Sequence, residues 1–126
     1  MNTNNDVERF MAAAGQTIKD NPSNSPFTNQ SALYLDLIKE EFNELEGAFK
    51  EFDIVEVADA CADLIWVIEG LCHTMGIPLQ KVWDEVKRSN YSKISNTGTI
   101  IRRADGKVLK PDTYSPPDIK KIIDKS

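Results

Sequence analysis

The stretch from Ile54 to Cys72 constrains this chain more than any other. It is apolar nearly all round a helix, yet it carries Glu56, Asp59, Asp63 and Glu69. It is long enough to cross a bilayer, but several carboxylates at bilayer depth are very costly. The pattern therefore predicts a helix buried in protein. At about 100° per residue, Glu56, Asp59 and Asp63 fall at about 0°, 300° and 340°, one narrow stripe. Around them lie Ile54, Val55, Val57, Ala58, Cys61, Leu64, Ile65, Trp66, Val67, Ile68 and Leu71. A helix apolar on all sides is buried, an unpartnered buried carboxylate is heavily penalised, and Asp is a poor residue for a helix interior. Three acids on one line need compensation, and the nearby bases are Lys39 and Lys50. A bound divalent metal supplies it, and hard oxygen ligands select Mg²⁺ or Mn²⁺. Water or lysines from the C-terminal part are the structural alternative.

A second acidic group precedes this helix. Glu40, Glu41 and Glu44 fall at relative angles of about 0°, 100° and 40° on their own helix. Ile38, Phe42, Leu45 and Phe49 centre near about 170°, which puts Glu41 on the border of the apolar stripe. Two helices joined by a short turn pack antiparallel, so the two acidic stripes are expected to face each other. Mg²⁺ favours a few carboxylates together with waters and substrate phosphates. Such a centre suits cleavage of a phosphoanhydride, because the metal polarises the phosphoryl group and makes hydroxide available near neutral pH.

The remaining pattern organises the chain around these helices. With 126 residues, 40% hydrophobic, it is the size of one domain with one core, expected over 1–126. A first helix is predicted over Asp6 to Asp20, with Val7, Phe10, Met11, Ala14 and Ile18 inward. Asn21 to Asn29 reads as a loop. Thr28 or Asn29 caps a second helix to about Lys50. Asp53 caps a third, ending near Gly76. A fourth runs from Pro78 to about Ser89, with Leu79, Val82, Trp83 and Val86 inward. Thr99 to Arg103 and Lys107 to Leu109 flank Ala104-Asp105-Gly106, a hairpin signal. Asp118 to Lys125 is a short last helix. Trp66 and Trp83 are expected in the core, and His73 is assigned no chemistry. Cys61 and Cys72 lie eleven positions apart on one helix, roughly 16 Å, beyond the reach of about 7 Å that a disulfide allows. Both are expected as buried thiols.

Charge is divided along the chain. From Asp36 to Glu69, eleven acids face two lysines, a balance of −9; from Val86 to Ser126, ten Lys and Arg face four acids, a balance of +6. One region is suited to cations and the other to anions. The formal charge of the whole is −5, unfavourable for stable nucleic-acid binding. The polar stretch Met1 to Arg9 lacks the apolar core of a signal peptide, so a cytoplasmic protein without a membrane partner is expected.

These residues resemble a known superfamily. Glu40-Glu41-x-x-Glu44, followed by an Asp-bearing helix, is similar to the all-α nucleoside triphosphate pyrophosphatases, which include the MazG proteins, dimeric dUTPases and phosphoribosyl-ATP pyrophosphohydrolase. Their second motif is ExxD, which Glu56-Val57-Ala58-Asp59 matches literally. The flanking run Asp63-Leu64-Ile65-Trp66, then Met75-Gly76-Ile77 and Leu79, matches in another register. There the motif Glu becomes Ala60, and Asp59 or Glu56 takes over its role. The segments Val86-Lys87-Arg88-Ser89-Asn90-Tyr91-Ser92-Lys93, Asp105-Gly106-Lys107-Val108-Leu109-Lys110 and Tyr114-Ser115-Pro116-Pro117-Asp118 resemble the phosphoribosyl-ATP pyrophosphohydrolase-like branch of bacteria and phages. The resemblance spans about residues 30–119.

The resemblance implies an all-α, four-to-five-helix MazG-like bundle with a small C-terminal β-hairpin or irregular arm, in a homodimer or homotetramer. It implies a Mg²⁺- or Mn²⁺-dependent hydrolase converting a nucleoside triphosphate to monophosphate and pyrophosphate for nucleotide-pool control. A deoxynucleotide such as dUTP, dGTP or dATP is the expected substrate, with phosphoribosyl-ATP the alternative. Glu41, Glu44, Asp63 and one of Asp59 or Glu56 hold the metal, and Glu40 orients or deprotonates the attacking water. Lys87, Arg88 and Lys93, with Asn90 among them, take the phosphates, while Lys107 and Lys110 flank a hairpin that closes over the site. Tyr91, Tyr114 or Trp66 stacks on a base. Two other classes remain: a non-enzymatic helical interaction module with a solvated acidic face, and a nucleic-acid binder using the basic arm.

Overall fold

A computed structural model describes residues 1–22 and 25–126. The fold is all-helical, with α1 Thr3–Ala13, α2 Asn29–Lys50, α3 Ile54–Met75, α4 Leu79–Tyr91 and α5 Ile119–Asp124 in chain order. The chain divides into two compact units, Met1–Ile77 and Pro78–Ser126.

In the first unit, α2 and α3 form the main packing pair and α1 lies against α3. Thr28 begins α2 through a capping box: its side chain accepts from Ser31 N–H, and the Ser31 hydroxyl oxygen accepts from Thr28 N–H. Asp53 caps α3 by accepting from Glu56 N–H at 3.2 Å. The connection between them is three residues long, and Phe52 within it adopts φ 58°, a left-handed conformation disfavoured for a bulky side chain. So short a link makes the two helices antiparallel, and the far ends agree: Gln30 near the start of α2 donates to the Thr74 hydroxyl near the end of α3 at 2.9 Å.

The core joins Val7 and Met11 of α1, Tyr34 of α2 and Val67 of α3, with Ile18, Leu37, Ile38, Leu64 and Leu71 packed around them. Gly70 makes that core possible. A Cβ there would lie 2.1 Å from the Tyr34 ring, so the ring packs directly on the α3 backbone. The Tyr34 hydroxyl is bonded to Gln16. Gly76 ends α3 at φ +74°, and a Cβ there would meet the Asn21 carbonyl oxygen at 2.3 Å.

Several expectations are corrected. The first helix starts earlier and ends at Ala13 rather than Asp20. The segment after it spends its backbone groups elsewhere: the Gln30 side chain bonds both Thr17 N–H and Thr17 C=O at 2.9 and 2.8 Å, and Lys19 N–H donates to His73 C=O at 2.9 Å. Those bonds compete with a continued helix. Phe10 and Ala14, expected inward, are exposed. The third helix is not buried all round, because Ile54, Val55, Ile65, Trp66 and Ile68 remain exposed within the chain. Cys61 is exposed and Cys72 buried, with burial foremost in pushing the Cys72 thiol up to about 11. Residues 23 and 24 of the expected loop lie outside the described residues.

In the second unit, α4 and α5 pack together. Trp83, expected in the core, is 62% exposed, and Val86 is also exposed. The expected hairpin reduces to one bridge, Arg102 with Val108, around a turn closed by Gly106 N–H to Arg103 C=O at 2.9 Å. Its flanks are exposed on both sides, and a two-stranded ribbon without a buried face is marginal. No helix is long and apolar enough to cross a membrane among the described residues.

The Gly70–Tyr34 contact makes a direct prediction. Gly70→Ala forces the buried ring to move and lowers stability by about 1–3 kcal/mol. Urea unfolding of the variant is expected to show a lower midpoint with an unchanged m-value.

Candidate functional site

The antiparallel pairing brings the two acidic stripes together. Glu41 and Glu44 from α2 and Asp63 from α3 each offer a carboxylate oxygen within 4.8 Å of the others. Glu41 and Asp63 are half-buried, Glu44 exposed. The placement follows from local periodicity: Glu41 and Glu44 are one turn apart near the middle of α2, opposite the first half of α3.

Electrostatic strain in the cluster is legible in its titration. The Glu41 carboxyl is held above its ordinary 4.5, first by burial, then by the charges of Glu44 and Asp63, a hydrogen bond with Glu44, and the charge of Asp59. Asp63 is held above its ordinary 3.8 by burial, then by the charge of Asp59, a hydrogen bond with it, and the charge of Glu44. Asp59 therefore belongs to the cluster electrostatically. Oε2 of Glu41 is buried without a hydrogen-bond partner. Within the first unit, the ion pair among the described residues is Lys50 with Glu46 at 3.7 Å, away from the cluster. No carboxylate of the cluster is ion-paired with a lysine among the described residues, and the donor set, three close carboxylates of which Glu41 has an oxygen lacking any donor, fits a hard divalent cation.

Beside the cluster is an open cleft lined by Glu44, Ala48, Glu51, Asp53, Glu56, Asp59 and Ala60. Glu56 thus sits on the cleft wall with Glu44 and Asp59, while the electrostatic coupling to Glu41 runs through Asp59. Glu40 is exposed and lies outside the close group. Sequence reasoning missed Glu51 and Asp53 as wall residues. The available signal was two acids bracketing a three-residue turn.

The basic candidates occupy the second unit. Arg88 is already engaged: its guanidinium grips Glu85 at 2.7 and 3.0 Å and donates to Pro116 C=O at 3.1 Å. Chiefly for that reason, with the Asp118 N–H second, the Glu85 carboxyl is lowered to about 2. Glu85 was missed as well, although its i,i+3 spacing to Arg88 is visible. Lys93 donates to Asn90 Oδ1 at 3.0 Å and lies over the Tyr114 ring at 5.9 Å, and Lys110 lies over the same ring at 5.0 Å. Lys87 and Lys107 are exposed. Among the aromatic candidates, Tyr91 is exposed, and Trp66 packs edge-on against Phe10 at 5.6 Å.

Comparison with known proteins accords with this geometry. The profile of the phosphoribosyl-ATP pyrophosphohydrolase family matches residues 7–90, more than half of the chain. An uncharacterized protein of Acanthamoeba polyphaga mimivirus is 34% identical over 95 residues, which cover 74% of this chain and 35% of that protein. The chain thus spans about a third of the length of that curated relative. With its helical fold and its facing carboxylate helices, the chain belongs to the phosphoribosyl-ATP pyrophosphohydrolase family, within the MazG-like all-α nucleoside triphosphate pyrophosphatase superfamily.

Proposed function

We propose that this chain is a metal-dependent nucleoside triphosphate pyrophosphohydrolase. It converts a deoxynucleoside triphosphate, such as dUTP, dGTP or dATP, to the monophosphate and pyrophosphate, and so adjusts the cytoplasmic nucleotide pool. The observation that carries this reading is the close group Glu41, Glu44 and Asp63, with an unpartnered Glu41 Oε2 and no lysine ion-paired with any of the three among the described residues. The family match supports a pyrophosphohydrolase reaction.

In this reading Glu41, Glu44 and Asp63 hold Mg²⁺ or Mn²⁺, with Asp59 as the fourth acid and Glu56 on the cleft wall. When bound, the metal neutralises charge on the phosphates and lowers the pKa of water. Glu40, exposed beside the cluster, orients the water or accepts its proton as it attacks the α-phosphorus. Lys87, Lys93, Lys107 and Lys110 of the basic arm are cations suited to phosphate. Arg88 contributes by fixing the arm through Glu85 and Pro116. The exposed apolar residues of α3 are covered in a homodimer or homotetramer.

The first test is a panel of deoxy- and ribonucleoside triphosphates, with phosphoribosyl-ATP included, incubated with Mg²⁺ or Mn²⁺. Monophosphate and pyrophosphate are the expected products; orthophosphate, or no turnover of any member, rejects the reading. Glu41→Gln is expected to lower turnover on the order of a hundredfold or more while keeping the helical circular-dichroism spectrum. Retained activity would remove Glu41 from the metal site.

A second test reads the metal without activity. Because the Glu41 and Asp63 carboxyls are raised in the folded chain, the native state holds their protons longer than the unfolded state. Their contribution to metal-free stability is therefore present at low pH and is lost as pH rises through the raised values. Metal-free melting temperature is expected to fall on this account between the ordinary carboxylate range and neutrality. Saturating Mg²⁺ or Mn²⁺ at pH 7 should restore it, adding about 2.7 kcal/mol at a hundredfold excess over Kd. Glu41→Gln should melt higher than wild type without metal at pH 7 and lose the metal-induced rise. A wild-type chain indifferent to both metals would favour a non-enzymatic helical module.

A further inference from the structure

The basic arm holds two lysines in an unusual setting. Lys93 and Lys110 are seventeen positions apart, yet their ammonium groups lie over one ring, that of Tyr114, at 5.9 and 5.0 Å from its centre. Among the described residues neither has a carboxylate within ion-pair distance: the ion pairs of this unit are Arg88 with Glu85, Arg103 with Asp105, and Lys120 with Asp124. The negative face of an aromatic ring attracts a cation to within about 6 Å of its centre, but it leaves the positive charge in place. Two lysines set over one ring, neither with an ion-pair partner among the described residues, leave two positive charges open to an anion.

The ring is fixed where it stands. Thr113, just before Tyr114, donates its hydroxyl to Ser92 C=O at 2.9 Å and to Ile94 C=O at 3.3 Å. Ser115, just after it, donates its N–H to the Ser92 hydroxyl at 2.8 Å. Tyr114 N–H itself bonds Pro111 C=O at 2.9 Å. These bonds tie the residues on both sides of Tyr114 to the residues on both sides of Lys93. Asn90 adds a second restraint on the Lys93 ammonium at 3.0 Å. The half-buried ring thus belongs to a strap laid along the end of α4, and Lys110 is brought to it from the other side of the Pro111 turn.

We propose that Tyr114 is a positioning residue that holds Lys93 and Lys110 as an anion site within the second unit, one that takes a diphosphate group such as a nucleotide substrate carries. This differs from a base-stacking role, because two ammonium groups already occupy the surroundings of the ring. It rests on the proposed hydrolase reading for the identity of the substrate alone. The gathering of the lysines is independent of that reading.

The test is calorimetric titration of the full chain with inorganic pyrophosphate, without metal and without nucleotide. The wild type is expected to bind, more weakly as KCl is raised. Tyr114→Phe keeps the ring and should bind within about twofold of wild type, while Tyr114→Leu should weaken binding about five- to tenfold. Lys110→Gln leaves the strap intact and should weaken binding similarly. The double variant Tyr114→Leu/Lys110→Gln should lose less than the product of the two single losses, because the ring acts through that lysine. A wild type that does not bind pyrophosphate overturns the proposal. So does Tyr114→Leu binding as tightly as wild type, Tyr114→Phe failing as badly as Tyr114→Leu, or fully independent losses in the double variant. Pyrophosphate binding by a chain inactive on every nucleotide leaves the inference standing and removes the hydrolase reading. Turnover without pyrophosphate binding does the reverse.

Discussion

Apolar packing between α2 and α3 drives carboxylates together that would otherwise repel one another. Tyr34 seated on Gly70, and Gln30 bonded to Thr74, fix the register at one end of the pair. The short connection with Asp53 as cap fixes the other. Between these anchors Glu41 and Glu44 of α2 come opposite Asp63 of α3. Burial and mutual charge then raise the Glu41 and Asp63 carboxyls together. A core that stabilises the helix pair thereby maintains a locally unfavourable acidic strip, a conflict expected at functional sites rather than in scaffolds.

The second unit divides its cations by chemistry. Arg88 has a planar fork that suits two-point binding of a carboxylate, and it is spent on Glu85 and Pro116, where it orders the arm. Lys93 and Lys110 are point charges on flexible stems, steered by an aromatic ring and an amide oxygen instead of by acids. Arg88 therefore orders the arm, while Lys93 and Lys110 have no carboxylate within ion-pair distance among the described residues. The same division explains why the arm needs little regular secondary structure. Its geometry is set by side-chain bonds from Thr113 and Ser92 and by one bridge between Arg102 and Val108.

Much of this was legible in residue spacing. The limits of α2 and α3 follow from Thr28, Asp53 and Gly76, residues whose chemistry starts or stops a helix regardless of context. The acidic stripes follow from helical periodicity alone. The first helix was misjudged because its apolar pattern continues to Ile18, whereas the backbone there is claimed by Gln30 and His73 from distant positions. No local signal announces such a claim. Trp83 and the outer residues of α3 were expected inside on hydrophobicity, yet they are exposed among the described residues. Apolar character states a preference for burial, and whether a covering surface exists is a property of the assembled fold.

The sequence by itself determined the helical class, the caps, the two acidic stripes and the separation of acidic and basic regions, because each depends on residues within a turn or two of one another. Tertiary structure decided which acids meet. In one register of the resemblance Ala60 takes the place of the motif Glu, and Asp59 and Glu56 share its stripe. Packing of α2 on α3 couples Asp59 to both Glu41 and Asp63, while Asp59 and Glu56 both line the cleft beside them. It also decided which cations remain available, since the engagement of Arg88 and the convergence of Lys93 and Lys110 on Tyr114 join residues far apart in the chain. Coulomb interactions depend on distance in space, and distances between separate helices and loops are set only when the chain has folded.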